Sequence, residues 1–182
     1  MEDLSLHILD IAENSVKAQA KNISISVEEN KKKDLLILEI KDDGKGMDAE
    51  KKAKALDPFF STRKERRIGL GLSLLEEATK AANGHFSLES EPGKGTKVVA
   101  SFQASHIDTK PLGDIPQTLI TLIMGSHDVD IRYTHVTDES EYVLDTGDIK
   151  SQLNGIPINS PEVIHIIKKN IMEGLANLRR QV

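Results

Sequence analysis

The chain has 182 residues and a net charge of −5, with a pI near 5.7, which argues against a nucleic-acid binder and its usual basic surface. Hydrophobic residues make up 38% and charged residues 29%, a globular composition rather than a disordered one. The absence of cysteine excludes disulfides, thiolate zinc sites and cysteine-held iron–sulfur clusters, and no apolar run reaches the ~18 residues of a membrane helix.

Residues 3–20 read as an amphipathic helix. Leu4, Ile8, Ile11, Ala12 and Ser15 fall on one side at helical spacing. His7, Asp10, Asn14 and Lys17 follow at steps of three and four and share another side. A polar stripe of this kind is first of all a solvated face. Its residue types allow a sharper reading. Asn14 is a poor helix former set mid-helix, and its amide oxygen is a hard ligand that suits magnesium. Asp10, one turn earlier, could hold or deprotonate a water beside that ion. Lys17, one turn later, could meet phosphate.

A period-two strand covers residues 22–28, a charged loop follows, and residues 35–41 form the returning strand. The strand ends in Asp42-Asp43-Gly44-Lys45-Gly46-Met47. Asp-Gly after a strand is a turn signal. Two glycines also allow a sharp turn and a close approach to a ligand, with an acid at its mouth. A carboxylate accepts hydrogen bonds and donates none, which suits an amino group such as that of adenine. A short helix is expected from Asp48 to Leu56.

The run Asp57-Pro58-Phe59-Phe60-Ser61-Thr62 leads into a basic loop, with an aromatic pair to anchor it. Ile68-Gly69-Leu70-Gly71-Leu72 then opens a helix expected to stop at Gly84. A glycine-rich helix entry presents free N–H groups at the positive end of the dipole and suits phosphate, although glycine also serves tight packing. Residues 85–91 and 96–103 form a second hairpin. Helices on one face of an antiparallel-rich sheet make a two-layer α+β sandwich over residues 1–105.

Residues 104–116 read as a linker. Beyond it lie a helix to Met124, strands at 129–136 and 141–145, a short helix at 148–153, and a long helix from Pro161, capped by Ser160, to about Arg180. No catalytic signature stands out there. His127, His135 and His165 lack metal-ligand spacing and read as structural. Residues 106–182 are expected to form a small α+β extension, a docking or dimerisation module.

Five blocks, in order, resemble the ATP-binding domain shared by gyrase-type ATPases, heat-shock chaperones, histidine kinases and mismatch-repair proteins, the GHKL superfamily. Residues 7–18 are similar to its N box, 43–47 to its first glycine box, 57–62 to its F box, 69–73 to its second glycine box and 91–96 to its last. The resemblance implies the Bergerat-type sandwich, with ATP and magnesium as cofactors. It implies that Asn14 coordinates magnesium, that Asp43 accepts from the adenine amino group with Thr96 sharing a water, and that Gly46 and Met47 line the adenine pocket. Lys17 would face phosphate, Phe60 and Arg67 would belong to a lid over residues 57–68, and the amides of Gly69, Leu70, Gly71 and Leu72 would meet the phosphates. Arg67 reads equally as a γ-phosphate contact or a solvated residue. Asp10 would be the catalytic base. It stands where hydrolysing members usually keep glutamate, which puts vigorous hydrolysis in doubt.

The block style leans to the kinase branch, yet no phospho-accepting histidine hairpin precedes the domain, and His7 reads as a helix-packing residue. The implied function is an ATPase or kinase whose acceptor lies on a separate protein. The alternative is an ATP-dependent conformational switch with little turnover. Met1-Glu2-Asp3 puts acid where a secretion signal carries base, so a cytoplasmic protein is expected, with no nucleic-acid or membrane partner and a homodimer left open.

Overall fold

A computed structural model describes residues 2–57 and 70–180. The element order is α1 (Leu4–Lys17), β1 (Asn22–Asn30), β2 (Leu35–Asp42), α2 (Ala49–Ala55), α3 (Leu70–Ala81), β3 (His85–Glu91), β4 (Gly95–Gln103), α4 (Ile115–Gly125), β5 (Asp130–Thr137), β6 (Glu141–Asp145), α5 (Thr146–Gln152) and α6 (Pro161–Arg180). Helix α1 ends earlier than its periodicity suggests, because Gln19 adopts φ +63° and turns the chain toward β1.

The strands form one six-stranded sheet in the order β3-β4-β2-β1-β5-β6. β1 pairs antiparallel with β2 and parallel with β5, with Ile25 opposite both Ile40 and Tyr133. The alternation of β1 and β2 sets the inner face. Ile23, Ile25, Val27, Leu36, Leu38 and Ile40 are all buried beneath the helices. Leu4, Ile8, Ile11 and Ala12 of α1 and Leu72 and Leu75 of α3 close the same core. The α+β sandwich expected for the first part of the chain is therefore present.

The C-terminal part does not stand apart as an extension. β5 and β6 prolong the same sheet, and α4 packs against both α1 and α6. The segment before α4 also completes α1. The Leu4 and Ser5 amides, which have no partner inside the helix, donate to the Pro111 and Leu112 carbonyls at 2.9 Å each. Asp3 caps the same end by accepting from the Leu6 amide. Across the junction, His135 bonds the buried Tyr133 hydroxyl at 2.9 Å and Glu29 of β1 at 2.7 Å. His135 is thus structural, as its spacing implies. No helix among the described residues is long and apolar enough to cross a membrane.

Candidate nucleotide site

The site forms where α1 crosses the end of β2. Along β2 the period of two that buries Leu36, Leu38 and Ile40 also carries Asp42 inward, where it is 7% exposed. Its Oδ2 accepts from the Ser15 hydroxyl of α1 at 2.6 Å, and its Oδ1 from the Gly44 amide at 2.9 Å. A carboxylate offers about four lone-pair positions, so Asp42 keeps acceptor capacity after both bonds.

Asp43, the acid expected to read adenine, points elsewhere. Its Oδ1 accepts from the Lys21 amide at 2.7 Å and the Asn22 amide at 2.9 Å, and its Oδ2 from Asn22 Nδ2 at 2.7 Å. Burial works to raise its pKa, but these donors outweigh it and hold the carboxyl below the usual range. Asp43 is an anchor for the entry into β1. Asp43 and Asp42 diverge because successive side chains leave a strand on opposite faces.

Thr96 of β4 lies opposite Asp42 in the sheet register, on the same face. Its hydroxyl meets that of Ser90 at 2.9 Å, and the Ser90 oxygen accepts from the Met47 amide at 2.8 Å. Met47 is half-buried against the core. Gly46 makes this contact possible. It sits at φ +64°, and a Cβ there would run into the Glu91 carbonyl oxygen. The turn after β2 is thereby keyed into the β3–β4 hairpin, so Asp42, Thr96, Gly46 and Met47 converge.

Asp10 and Asn14 lie one helical turn apart on α1, with Asn14 Nδ2 donating to Asp10 Oδ2 at 3.4 Å. The same Asp10 oxygen presses on α3, where a Cβ at Gly71 would collide with it. Burial pushes the Asp10 carboxyl up, helped by Glu13 and opposed by Lys17 and the Asn14 amide. Lys17 pairs with Glu13 at 3.6 Å and is half-exposed. Asp10, Asn14 and Gly71 thus gather beside the Ser15–Asp42 bond. The Leu72 side chain packs into the core from α3. Phe60, Arg67 and Gly69 lie outside the described residues, as does the side chain of Leu70, whose backbone opens α3.

Ser15, Asp42 and Ser90 escaped the motif reading. For Asp42 a signal was available, since it continues the buried alternation of β2. For Ser15 the signal was its place on the apolar side of α1. Ser90 could be found only from the register of β3 on β4. An apolar hollow of about 390 Å³ lies between β6, α5 and α6. It contains none of the motif residues.

The histidine kinase-, DNA gyrase B- and HSP90-like ATPase family matches residues 2–106. Sporulation kinase C of Bacillus subtilis (strain 168) is 34% identical over 88 residues, covering 48% of this chain and 20% of that protein. Sensor protein DegM of Bacillus sp. (strain B21-2) is 31% identical over 94 residues, covering 52% of this chain and 25% of that protein. The chain thus spans a quarter or less of these relatives. The N-terminal domain of a DNA repair protein superposes with a TM-score of 0.50 at 15% identity, over 80% of this chain and 53% of that one, a likeness of fold alone. With more than half of its length matched, the chain belongs to the family of histidine kinase-, DNA gyrase B- and HSP90-like ATPases.

Proposed function

We propose that the protein binds ATP with magnesium between α1, the turn after β2 and the start of α3, and transfers or hydrolyses the γ-phosphate. The observation that carries this reading is the inward carboxylate of Asp42, held by Ser15 and Gly44 with acceptor positions to spare. Adenine offers an amino donor of the matching kind. Thr96 and Ser90 supply hydroxyls beside it, and Gly46 and Met47 complete that end.

The donor set at the other end fits a magnesium ion. Asn14 gives its amide nitrogen to Asp10, which leaves its oxygen as an acceptor, and Asp10 is a second hard ligand. No group of three or more His, Asp or Glu side chains able to hold a metal occurs among the described residues. Magnesium usually keeps several waters and takes further oxygens from phosphate, so two side-chain ligands suffice. Magnesium, when bound, neutralises the charge on the transferring phosphoryl group. Asp10 would orient and deprotonate the attacking hydroxyl or water, a task favoured by a raised carboxyl pKa. Lys17 and the first amides of α3, with Gly71 closest to Asp10, would meet phosphate. Phe60 and Arg67 belong to the proposed lid, and the Gly69 amide to the proposed phosphate contacts.

The phosphate acceptor is placed by this reading on a separate protein, and His7 and His135, both buried, are structural residues. The second reading, an ATP-dependent switch with little turnover, is favoured by the seat of Asp10. Aspartate is a methylene shorter than glutamate, and this one is pressed on Gly71, so its reach follows the position of α3.

Titration calorimetry with ATP, with and without magnesium, tests binding, and labelled phosphate release separates the two readings. Binding with steady release supports the enzyme. Binding without release, and without label on a co-purified protein, supports the switch. Failure to bind ATP at millimolar concentration sinks both.

A further inference from the structure

We propose that β6 accepts a further strand from a partner protein. The incoming segment is extended, alternates apolar with basic residues, and seats an apolar side chain in the hollow between β6, α5 and α6. This surface holds none of the motif residues and needs no nucleotide. β6 ends the sheet, with β5 on one side and no described strand on the other. The Thr137 amide donates to the Ser140 carbonyl at 2.8 Å, which makes that pair the hydrogen-bonded one nearest the turn. By the alternation of an antiparallel ladder, Tyr142 and Leu144 bond inward to β5. The backbone groups of Glu141, Val143 and Asp145 therefore face the open edge.

The surroundings of that edge select its occupant. β6 has no proline, lysine or break in register, devices that commonly blunt an exposed edge. Tyr142 turns toward α6, where its hydroxyl donates to Asn170 at 2.8 Å, so Glu141, Val143 and Asp145 turn to the solvent face of the sheet. Side chains of an added strand would alternate in the same way. One set meets the hollow, whose lining includes Ile149, Leu153, Val163 and Ile167. The other set lies beside Glu141. No lysine or arginine lines the hollow, and Asp148 does. Arg132 answers Asp145 at 3.0 Å, whereas Glu141 and Asp148 have no ion-pair partner among the described residues. A second copy would bring the same two uncompensated acids to its own edge. A segment carrying lysine or arginine neutralises them, so charge favours a basic partner over self-pairing.

The test titrates the nucleotide-free full chain, followed by amide NMR, with a blocked heptapeptide of alternating valine and lysine. A second peptide carries glutamate in place of lysine. The lysine peptide should slow exchange of the Glu141 and Val143 amides by about tenfold and leave Tyr142 and Leu144, already bonded inward, little changed. The glutamate peptide should bind at least about tenfold more weakly. Val143→Pro removes an outward donor without breaking the ladder and should weaken the lysine peptide by about tenfold. Glu141→Lys combined with Asp148→Lys, both exposed positions, should reverse the preference between the peptides, and this variant decides the matter if Val143→Pro does not fold. No binding of either peptide, equal binding of both, or changes confined to β3 at the other sheet edge overturns the proposal. So does full affinity in a folded Val143→Pro variant. Sedimentation that shows a dimer protecting the same amides would make a second copy the occupant and overturn it as well.

Discussion

The Ser15 hydroxyl donates to Asp42 Oδ2 at 2.6 Å, tying the first helix to the end of the second strand across 27 residues of sequence. The bond is buried, so it is made at low local dielectric and its loss is felt. Asn14 and Asp10 lie on the neighbouring surface of the same helix. The metal end and the adenine end of the proposed site are therefore set by one helix–strand crossing.

The neighbouring acids should separate cleanly on mutation. Asp43→Ala removes the acceptor for three donors at the entry to β1 and should cost about 1–3 kcal/mol of stability. Its effect on nucleotide affinity should be small. Asp42→Ala should lower affinity at least tenfold even where the fold survives. Urea unfolding together with calorimetry on both variants checks this. The reverse pattern would restore Asp43 as the adenine acid.

Gly46→Ala should destabilise by about 3 kcal/mol, since the position combines φ +64° with a collision against the Glu91 carbonyl. Gly93 offers the control. It also has positive φ, at +77°, but nothing stands within 4 Å of its Cβ position, so Gly93→Ala should cost only about 1 kcal/mol. Equal melting temperatures for the two variants would contradict the keyed turn.

Asp10 gives a pH signature. Its folded pKa is raised, by burial first, so the folded state holds that proton more tightly than the unfolded chain does. The stabilising contribution is fully present below the ordinary value of 3.8 and is lost as pH rises through the higher folded value. Asp10→Asn removes this loss. At pH 7 the variant should melt a degree or two higher, about the size expected for a half-exposed group, while phosphate release falls by about a hundredfold. A lower melting point, or undiminished release, would show that Asp10 has neither role.

Residues 1–105 alone should not fold. Truncation there removes β5 from the edge of β1 and strips the Leu4 and Ser5 amides of their partners at Pro111 and Leu112. Circular dichroism and hydrogen exchange on the fragment check this. A cooperative, monomeric unfolding transition would show that β1 tolerates an open edge.

That dependence is also where reading from sequence stopped short. Strands β1 to β4 announce themselves by alternation and tight turns, and so do β5 and β6 as a hairpin. Nothing local in β5 says that it joins β1, because a parallel pairing is set by a long crossover and by register, as in Ile25 against Tyr133. A composition break at Pro111 and Gly113 looked like a domain linker and is instead the strap that completes α1. Within the site, the residue types of Asp10 and Asn14 pointed to a common surface, and α1 brings them to one. Of the two neighbouring acids, it is Asp42 that continues the buried alternation from Leu36, a pattern that the glycine motif does not carry. His7 sits among polar spacings yet is 2% exposed, because α3 covers a face that periodicity marked as solvated.

Base selectivity tests the pocket most directly. Asp42 accepts from an amino group, and guanine presents a carbonyl oxygen at that position, so wild-type protein should bind ATP about a hundredfold more tightly than GTP, a difference of about 2.7 kcal/mol. In Asp42→Asn the amide can donate instead, and the preference should shrink by at least tenfold. Equal affinity for the two nucleotides in wild type, or an undiminished preference for ATP in Asp42→Asn, would contradict an adenine site at the end of β2.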